Sequence, residues 1–419
     1  MFDFEDLVRR IRDLDSRAQG DQSAVHAGYG DLGLEYADFP IDPANPETPA
    51  YRSRQLEIYE AISGRRYALD NEQIPFDIDA AYKLPCPFST SNSHVIGDHL
   101  STLGFVVTNF DMPRGSRVFE MGAGWGNLAL TLAKTGYVVG ACDLEARFVE
   151  LVRRRAAQDN VQIDIEKEDF LNSRSLSKEG AGWDAIVFNA CFHHCDDPLG
   201  LLDKIATNTK YHTKIYFIGE SIYRDYPWPW GINLHGQAIY CINKFGWLEL
   251  AFNEDFFLNA LYGRGYTVRR WQATHSPLMT MLKASKFTSY EGNFVPFVDL
   301  CQPQSFERSF ASAELSAQEQ GRWTSGMSRF QIPDNRLKAF GLVLANYKPV
   351  ATQVVVTNGA NAYARTILPG TEAEIEIEAY TGNEIMVWAE CHNPKALKWS
   401  VDDRDLGIYC KGIRLTQYE

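Results

Sequence analysis

The 419-residue sequence predicts an α/β fold with a doubly wound parallel sheet, preceded by a helical segment and followed by an all-β module. Three observations carry this prediction. Short apolar strands alternate with helices from residue 115 to about residue 271, apolar residues recur at helical spacing before residue 110, and a period of two appears after residue 345. Strands that alternate with helices are typical of a parallel sheet covered on both faces.

Residues 1–110 predict an N-terminal helical cap or lid. Leu7, Ile11 and Leu14 recur at helical spacing within residues 3–18, so this stretch predicts an amphipathic helix. A second helix is expected over residues 51–63, and a third after Asn92.

Residues 111–285 predict the α/β domain. Strands are expected at residues 117–121, 137–142, 161–165, 183–188, 214–218 and 266–271. Helices are expected at residues 127–135, 145–158, 197–208 and 253–262. Because a helix lies between most successive strands, the sheet should be largely parallel.

The C-terminal third divides into two predicted parts. Residues 286–345 are polar and predict an irregular connecting segment. Residues 346–419 contain short alternating strands separated by Asn-Gly, Pro-Gly and Gly-Asn turns, which favours a compact β-sandwich-like module. In residues 371–379, glutamates alternate with apolar residues, which indicates a half-exposed strand rather than an acidic tail.

Composition limits the partners and the compartment. A formal net charge of −13 argues against a surface for nucleic acid or anionic lipid. The eight scattered cysteines are typical of free thiols, the N-terminus lacks the apolar core of a secretory signal, and no apolar run is long enough to span a membrane. We therefore expect a cytoplasmic protein with no membrane span.

The strongest motif is a glycine-rich turn between the first predicted strand and the helix that follows it. Gly122, Gly124 and Gly126 form the pattern Glu-x-Gly-x-Gly-x-Gly with Glu120. Glycines there allow positive φ and close approach of a ligand to the backbone and to a helix N-terminus. A dinucleotide fingerprint would need glycine at Asn127, and a pyrophosphate would be repelled by Glu120. A cationic aminoacyl group would not be repelled.

These residues resemble the class I S-adenosylmethionine-dependent methyltransferases, over residues 115–220. The resemblance implies a Rossmann-like methyltransferase sheet with S-adenosyl-L-methionine as cofactor. Asp143, after the second strand, would accept the ribose hydroxyls, Asp169 and Phe170 would lie around the adenine, and Asn189 would lie beside the methionyl part. In the family, a segment such as residues 85–92 often covers the cofactor.

The loop after the fourth strand and the end of the fifth provide the candidates for proton removal. His194 is the first candidate for the base, Glu220, just after the fifth strand, is the second, and His193, beside His194 in the loop, is a weaker one. The loop histidines can also serve only to shape the loop. No metal site is expected, because Asp196 and Asp197 are better explained as caps of the next helix.

An aromatic insertion after the fifth strand predicts the acceptor site. Its candidate substrate-binding residues are Tyr223, Arg224, Trp228, Trp230 and His235. Aromatic faces beside polar side chains suit a hydroxylated ring, although a hydrophobic cap or a dimer surface explains them equally well. Residues 229–250 also resemble a stretch of bacterial methyltransferases encoded with glycan-assembly functions, which implies a sugar acceptor.

The sequence thus predicts a methyltransferase acting on a hydroxyl of a sugar, a nucleotide-sugar or a polysaccharide. Two alternatives remain open: O- or C-methylation of a natural product or other small molecule, and a non-catalytic glycan-binding protein. Homo-oligomerisation through the aromatic insertion or the β module is possible.

Overall fold

The computed structural model describes residues 2–19, 22–84, 93–177, 182–273, 276–287, 294–297, 321–324, 326–332, 337–378, 384–400 and 405–418. The chain divides into two compact units. The first comprises residues 1–210, 215–260 and 272–281, and the second comprises residues 211–214, 261–271 and 282–419. The N-terminal helices therefore belong to the same unit as most of the α/β domain.

The helices within the described residues are α1 (Phe4–Ala18), α2 (Gln22–Gly28), α3 (Pro49–Ser63), α4 (Ile78–Lys83), α5 (Ser93–Asn109), α6 (Asn127–Lys134), α7 (Ala146–Gln158), α8 (Pro198–Asn208), α9 (Gly236–Lys244) and α10 (Glu254–Gly263). Local chemistry explains their ends. The side chain of Asp3 accepts hydrogen bonds from the first amides of α1, and Pro49 starts α3 after the Thr48 cap. Helix α3 ends at Gly64, which has φ +69°.

The strands of the α/β region are β1 (Arg117–Met121), β2 (Val138–Asp143), β3 (Ile163–Lys167), β4 (Ala185–Asn189), β5 (Lys214–Ile218), β6 (Ile222–Tyr223), β7 (Trp230–Ile232), β8 (Leu250–Asn253), β9 (Tyr266–Ala273) and β10 (Ser276–Lys286). In the first unit the sheet has the order β3-β2-β1-β4-β5-β10. Strand β1 pairs in parallel with both β2 and β4. The strand order reverses between β1 and β4, and ligands of doubly wound sheets bind at the carboxyl ends of the strands at that point.

The second unit contains two antiparallel sheets. Its strands are β11 (Phe294–Pro296), β12 (Arg322–Trp323), β13 (Met327–Gln331), β14 (Leu337–Asn346), β15 (Thr352–Thr357), β16 (Ala362–Ile367), β17 (Thr371–Glu378), β18 (Glu384–Ala389) and β19 (Tyr409–Tyr418). The sheets have the orders β11-β19-β14-β17 and β13-β18-β15-β16, and one buried apolar cluster draws residues from both. In β17, Ile375 and Ile377 are buried between exposed glutamates, as the alternation predicted.

The structure contains elements that the sequence analysis did not predict, among them α2, α4, α9 and the short strands β6, β7 and β8. Strand β10, over residues 276–286, was not predicted, and the segment 286–345 is not irregular throughout, because β11 to β14 lie within it or begin there. Strand β14 pairs with both β17 and β19, so the second unit begins well before residue 346. No helix of the described residues combines the length and the apolar character needed to cross a membrane.

Candidate active site

A cavity of about 370 Å³ opens at the carboxyl ends of the strands in the first unit. Its walls come from the loops that follow β1, β2, β3 and β4, and from side chains of several other parts of the chain. The loops supply Gly122, Gly124, Asp143, Leu144, Glu168, Asp169, Phe170, Leu171, Asn172, Ala190, Cys191, His194, Cys195 and Asp196. The other walls are Phe148 of α7, together with Arg52, Leu69, Glu72, Ile74 and Trp247.

The three glycines of the turn serve different purposes, although all have positive φ. A Cβ on Gly124 would meet no atom within 4 Å, whereas one on Gly126 would lie 2.5 Å from a methyl group of Val152 on α7. Gly122 and Gly124 line the cavity, and Gly126 lets α7 pack closely against the turn. A ligand can therefore approach the backbone at Gly124.

Asp143 connects the end of β2 to the glycine turn. One carboxylate oxygen accepts a hydrogen bond from the amide of Gly124 at 2.7 Å, and the other accepts one from the amide of Glu145 at 2.8 Å. Burial raises the pKa of this carboxyl to about 6, against the lowering effect of the two amides. Asp143 remains at the cavity wall as an acceptor for a hydroxyl donor.

Glu120 is fully buried behind the turn and does not line the cavity. Its side chain is 1% exposed, and Oε2 has no hydrogen-bond partner among the described residues. Burial raises the pKa of the carboxyl to about 8, and the nearby charge of Asp143 adds to this effect. An orphaned buried acceptor of this kind is satisfied when a donor or a cation comes within reach.

The remaining predicted cofactor residues lie after β3 and β4. Asp169 and Phe170 line the cavity, and the Asp169 carboxylate accepts a hydrogen bond from the amide of Asn172 at 2.9 Å. Asn189 ends β4, but the lining position is taken by Ala190, which has φ +51°. The segment 85–92, predicted to cover the cofactor, lies outside the described residues.

Glu220 forms hydrogen bonds with the loop after β4 and does not line the cavity. Its carboxylate accepts hydrogen bonds from the amides of Cys191, Phe192 and His193, and from Nδ1 of His193 at 2.7 Å. Burial alone would raise its pKa, but the His193 ring and the amides hold the pKa below its usual value. Glu220 and His193 therefore hold the loop after β4 in its conformation.

His194 is the predicted base candidate that lines the cavity. Its Nδ1 lies 2.7 Å from the carbonyl oxygen of Leu248 and 3.4 Å from Oε2 of Glu72. A carbonyl oxygen only accepts, so Nδ1 must carry a proton, and Nε2 remains as the atom for chemistry. Burial lowers the pKa of His194, but the Glu72 and Glu249 carboxylates outweigh it and raise the pKa to about 9.

Four residues of this region were missed by the sequence analysis: Arg52, Glu72, Trp247 and Glu249. Arg52 of α3 forms an ion pair with Asp196 and donates a hydrogen bond to its carbonyl at 2.7 Å. Glu72 accepts a hydrogen bond from the amide of Leu248 at 2.8 Å. Trp247 and Glu249 lie in the stretch 229–250, whose resemblance assigned them no role, and Arg52 and Glu72 belong to no motif. Long-range packing brings these residues to the loop after β4.

The five residues predicted to bind the acceptor lie away from the cavity lining. Trp228 and Trp230 are buried, with the Trp228 ring 4.7 Å from Tyr36 and the Trp230 indole donating to the carbonyl of Pro46 at 2.8 Å. Arg224 pairs with Glu254 at 3.0 Å, and the ring of His235 lies 5.3 Å from Tyr36. Tyr223 is 40% exposed. Packing against the N-terminal segment accounts for the two tryptophans and His235, as in the hydrophobic-cap alternative.

Comparison with known proteins decides the family of the central segment. Residues 118–211 match the family described as "Methyltransferase domain". Residues 118–211 form a methyltransferase domain. It is of the class I type that the sequence resemblance indicated, and the prediction of S-adenosylmethionine as its cofactor is confirmed. The glycine turn, which allows close approach to the backbone, and the Asp143 carboxylate, an acceptor for hydroxyl groups, both line the cavity and fit that cofactor.

Curated relatives of the methyltransferase domain include proteins named ubiquinone biosynthesis O-methyltransferase. The one from Xanthomonas axonopodis pv. citri is 30% identical over 105 residues, which is 25% of this chain and 43% of the relative. The one from Xanthomonas campestris pv. campestris (strain B100) is 29% identical over 169 residues, which is 40% of this chain and 61% of the relative. The chain thus spans about half the length of these relatives.

The chain also resembles solved structures, among them two named as methyltransferases. The magnesium protoporphyrin IX methyltransferase of Synechocystis PCC 6803 with bound SAH is 14% identical, with a TM-score of 0.35, 50% of this chain covered and 92% of the other. The methyltransferase SibL in its apo form is 15% identical, with a TM-score of 0.38 and coverages of 67% and 74%.

Proposed function

We propose that the protein transfers a methyl group from S-adenosylmethionine to a hydroxyl of a small-molecule acceptor. One observation supports this most strongly. One cavity is lined by Gly122, Gly124 and Asp143 and also by His194. A cofactor site and a candidate proton acceptor therefore share one space.

The residues that would hold the cofactor are Gly122, Gly124, Asp143, Asp169 and Phe170, with Glu120 behind the turn. The cofactor supplies an electrophilic methyl group on a sulfonium sulfur. The chain's part is to hold the acceptor and to receive its proton, since positioning and proton transfer are what a displacement of this kind requires.

His194 is the residue proposed to meet the acceptor hydroxyl through Nε2, which can accept a proton only as the pH approaches the raised pKa of about 9. Its Nδ1 proton is held by the carbonyl of Leu248, which fixes the tautomer and the ring orientation. His193 and Glu220 would be positioning residues, because their hydrogen bonds are made to each other and to the loop backbone.

The acceptor itself is proposed to be a hydroxylated compound with an apolar part. Leu69, Ile74 and Trp247 give the cavity apolar walls beside the charged groups of Arg52 and Glu72. Relatives of the domain are named for O-methylation in ubiquinone biosynthesis, which is small-molecule chemistry. A sugar acceptor rests only on the resemblance of residues 229–250, since the predicted aromatic residues pack elsewhere.

Two measurements test the proposal. Calorimetry with S-adenosylhomocysteine should show binding that Asp143→Ala weakens sharply and the exposed control Asp13→Ala leaves unchanged. Turnover should then be followed as S-adenosylhomocysteine release with catechols, other phenols and nucleotide-sugars, comparing His194→Ala with wild type. Binding without turnover on any phenol, but with turnover on a nucleotide-sugar, would overturn the acceptor class. Absence of cofactor binding would overturn the function.

A further inference from the structure

Two histidines and a glutamate beside the cavity present their ligand atoms to one another. His193, His194 and Glu249 each offer one such atom, and the three atoms lie within 4.8 Å of one another. Nε2 of His193 is 3.6 Å from Oε2 of Glu249, and the two imidazole centroids are 4.4 Å apart. We propose that these three residues bind one divalent transition-metal ion.

The hydrogen bonds of the two histidines leave the same nitrogen available on each ring. Nδ1 of His193 donates to the Glu220 carboxylate, and Nδ1 of His194 donates to the carbonyl of Leu248. Metal-binding histidines usually donate their other N–H to a carboxylate or to a backbone carbonyl, which orients the ring and makes the ligand nitrogen more basic. Within the described parts of the chain, neither Nε2 makes a hydrogen bond shorter than 3.5 Å.

The charge around the two rings also favours a cation. The carboxylates of Glu72, Glu220 and Glu249 surround the histidines, and their side chains are only 11%, 1% and 13% exposed. Buried carboxylates require positive partners, and here three carboxylates surround only two imidazole rings. A divalent ion at the two Nε2 atoms and Glu249 would supply that charge without protonating either ring.

The ligand set indicates the kind of ion. Two imidazoles and one carboxylate suit Zn²⁺, Fe²⁺, Co²⁺ or Mn²⁺, whereas Mg²⁺ prefers oxygen ligands. Bonds of about 2.0–2.2 Å place neighbouring ligand atoms roughly 3.3 Å apart. The observed separations of 3.6 Å and up to 4.8 Å are longer, so the three side chains would have to draw together by up to about 1.5 Å when an ion binds.

The place of the site gives the ion a role in the reaction, and this step alone rests on the proposed function. His194 lines the cavity, and three protein ligands leave positions open for an acceptor oxygen. A hydroxyl bound to such an ion loses its proton to solvent more readily, and its oxygen would then take the methyl group while the sulfonium sulfur leaves as a neutral thioether. The ion would then replace direct proton transfer to Nε2 of His194.

The test is a titration of the full-length protein after removal of metals with a chelator. Co²⁺ is added and its visible absorption followed, Zn²⁺ and Mg²⁺ are tested as competitors, and bound ions are counted by elemental analysis. We expect one Co²⁺ per chain, displaced by Zn²⁺ and not by an equal concentration of Mg²⁺. His194→Ala and Glu249→Gln should abolish binding, and Glu220→Gln should weaken it about 10–100-fold.

Matched controls are His212→Ala and Glu57→Gln, which change exposed residues outside the cavity lining. Circular dichroism shows whether each variant is folded. If His194→Ala does not fold, Glu249→Gln is the variant that tests the metal site. Failure of wild type to bind Co²⁺, or equal binding by Glu249→Gln, overturns the metal site. S-adenosylhomocysteine is titrated into the same samples: cofactor binding without Co²⁺ binding refutes only the metal site, and the reverse refutes only the proposed function.

Discussion

The carboxylate of Glu220 accepts a hydrogen bond from Nδ1 of His193 at 2.7 Å. It also accepts hydrogen bonds from the backbone amides of residues 191–193. One side chain at the end of β5 thereby holds the whole turn that follows β4. The next residue of that turn, His194, is the one that lines the cavity.

Replacement of Glu220 should therefore destabilise the protein. Glu220→Ala leaves three buried amides without their acceptor, and a buried unsatisfied group costs about 1–3 kcal/mol. Glu220→Gln should cost less, because its amide oxygen still accepts from the backbone. Urea unfolding measures both, with Glu57→Gln as the exposed control. Equal stability of Glu220→Ala and wild type would contradict the assigned role.

Glu120→Gln should change how stability depends on pH. The folded-state pKa is raised to about 8 from an ordinary value of 4.5, so the folded protein holds a proton that the unfolded chain has lost between these values. The free energy of unfolding of wild type should therefore fall, relative to the variant, as the pH rises from about 5 to 8. Urea unfolding at several pH values measures that difference. A constant difference would show that Glu120 is not buried in an apolar site.

The same variant should discriminate between two ligands. If Glu120 acts on the amino group of the cofactor, Glu120→Gln weakens binding of S-adenosylhomocysteine but not of 5′-methylthioadenosine, which lacks the amino acid part. Calorimetry gives both dissociation constants. Equal weakening of the two ligands would mean that the substitution has only disturbed the glycine turn.

Cofactor affinity should depend on the ionisation of Asp143. Burial raises its pKa to about 6, so the carboxylate is lost as the pH falls through about 6, and with it an acceptor for ribose hydroxyls. The dissociation constant of S-adenosylhomocysteine should rise below that pH. In Asp143→Asn the affinity should be weaker and should lack this inflection. An unchanged inflection in the variant would assign the titration to another group.

Trp230 should matter for folding rather than for the acceptor. Its side chain is 3% exposed and its indole donates to Pro46, so Trp230→Ala should cost about 3–5 kcal/mol. Tyr223→Ala, at an exposed position in the same insertion, should stay within about 0.5 kcal/mol of wild type. Thermal and urea unfolding test both. If Trp230→Ala is as stable as wild type but has a raised KM for the acceptor, Trp230 binds the acceptor after all.

The sequence predicted those parts of the molecule that local pattern determines. Strands β1 and β5 lie at the predicted residues, and the glycine turn follows β1. These elements are predictable because the spacing of apolar residues and the preference of glycine for turns are properties of a few neighbouring residues. Strand β14 was missed because a strand buried along most of its length lacks alternation. No local pattern marks it as a strand that pairs on both sides.

Of the residues that line the cavity, several that follow strands β1 to β4 were predicted from the sequence, whereas those from the flanking segments were not. Gly122, Gly124, Asp143 and Asp169 follow successive strands, so their meeting at one sheet edge follows from topology. Glu72, Trp247 and Glu249 reach the same edge only through tertiary packing. The aromatic insertion suggested an acceptor site by composition, but its tryptophans fill the space beside Tyr36 and Pro46.

The ion pair between Arg52 and Asp196 joins helix α3 to the loop that follows β4. Arg52, Glu72 and Trp247 all lie outside residues 118–211, while Gly122, Gly124, Asp143 and Asp169 lie inside them. The chain thus encodes the two halves of its cavity in different stretches. Natural variation or a chimera could change the compound that is methylated by altering the flanking segments alone. The cavity residues within residues 118–211 would stay unchanged.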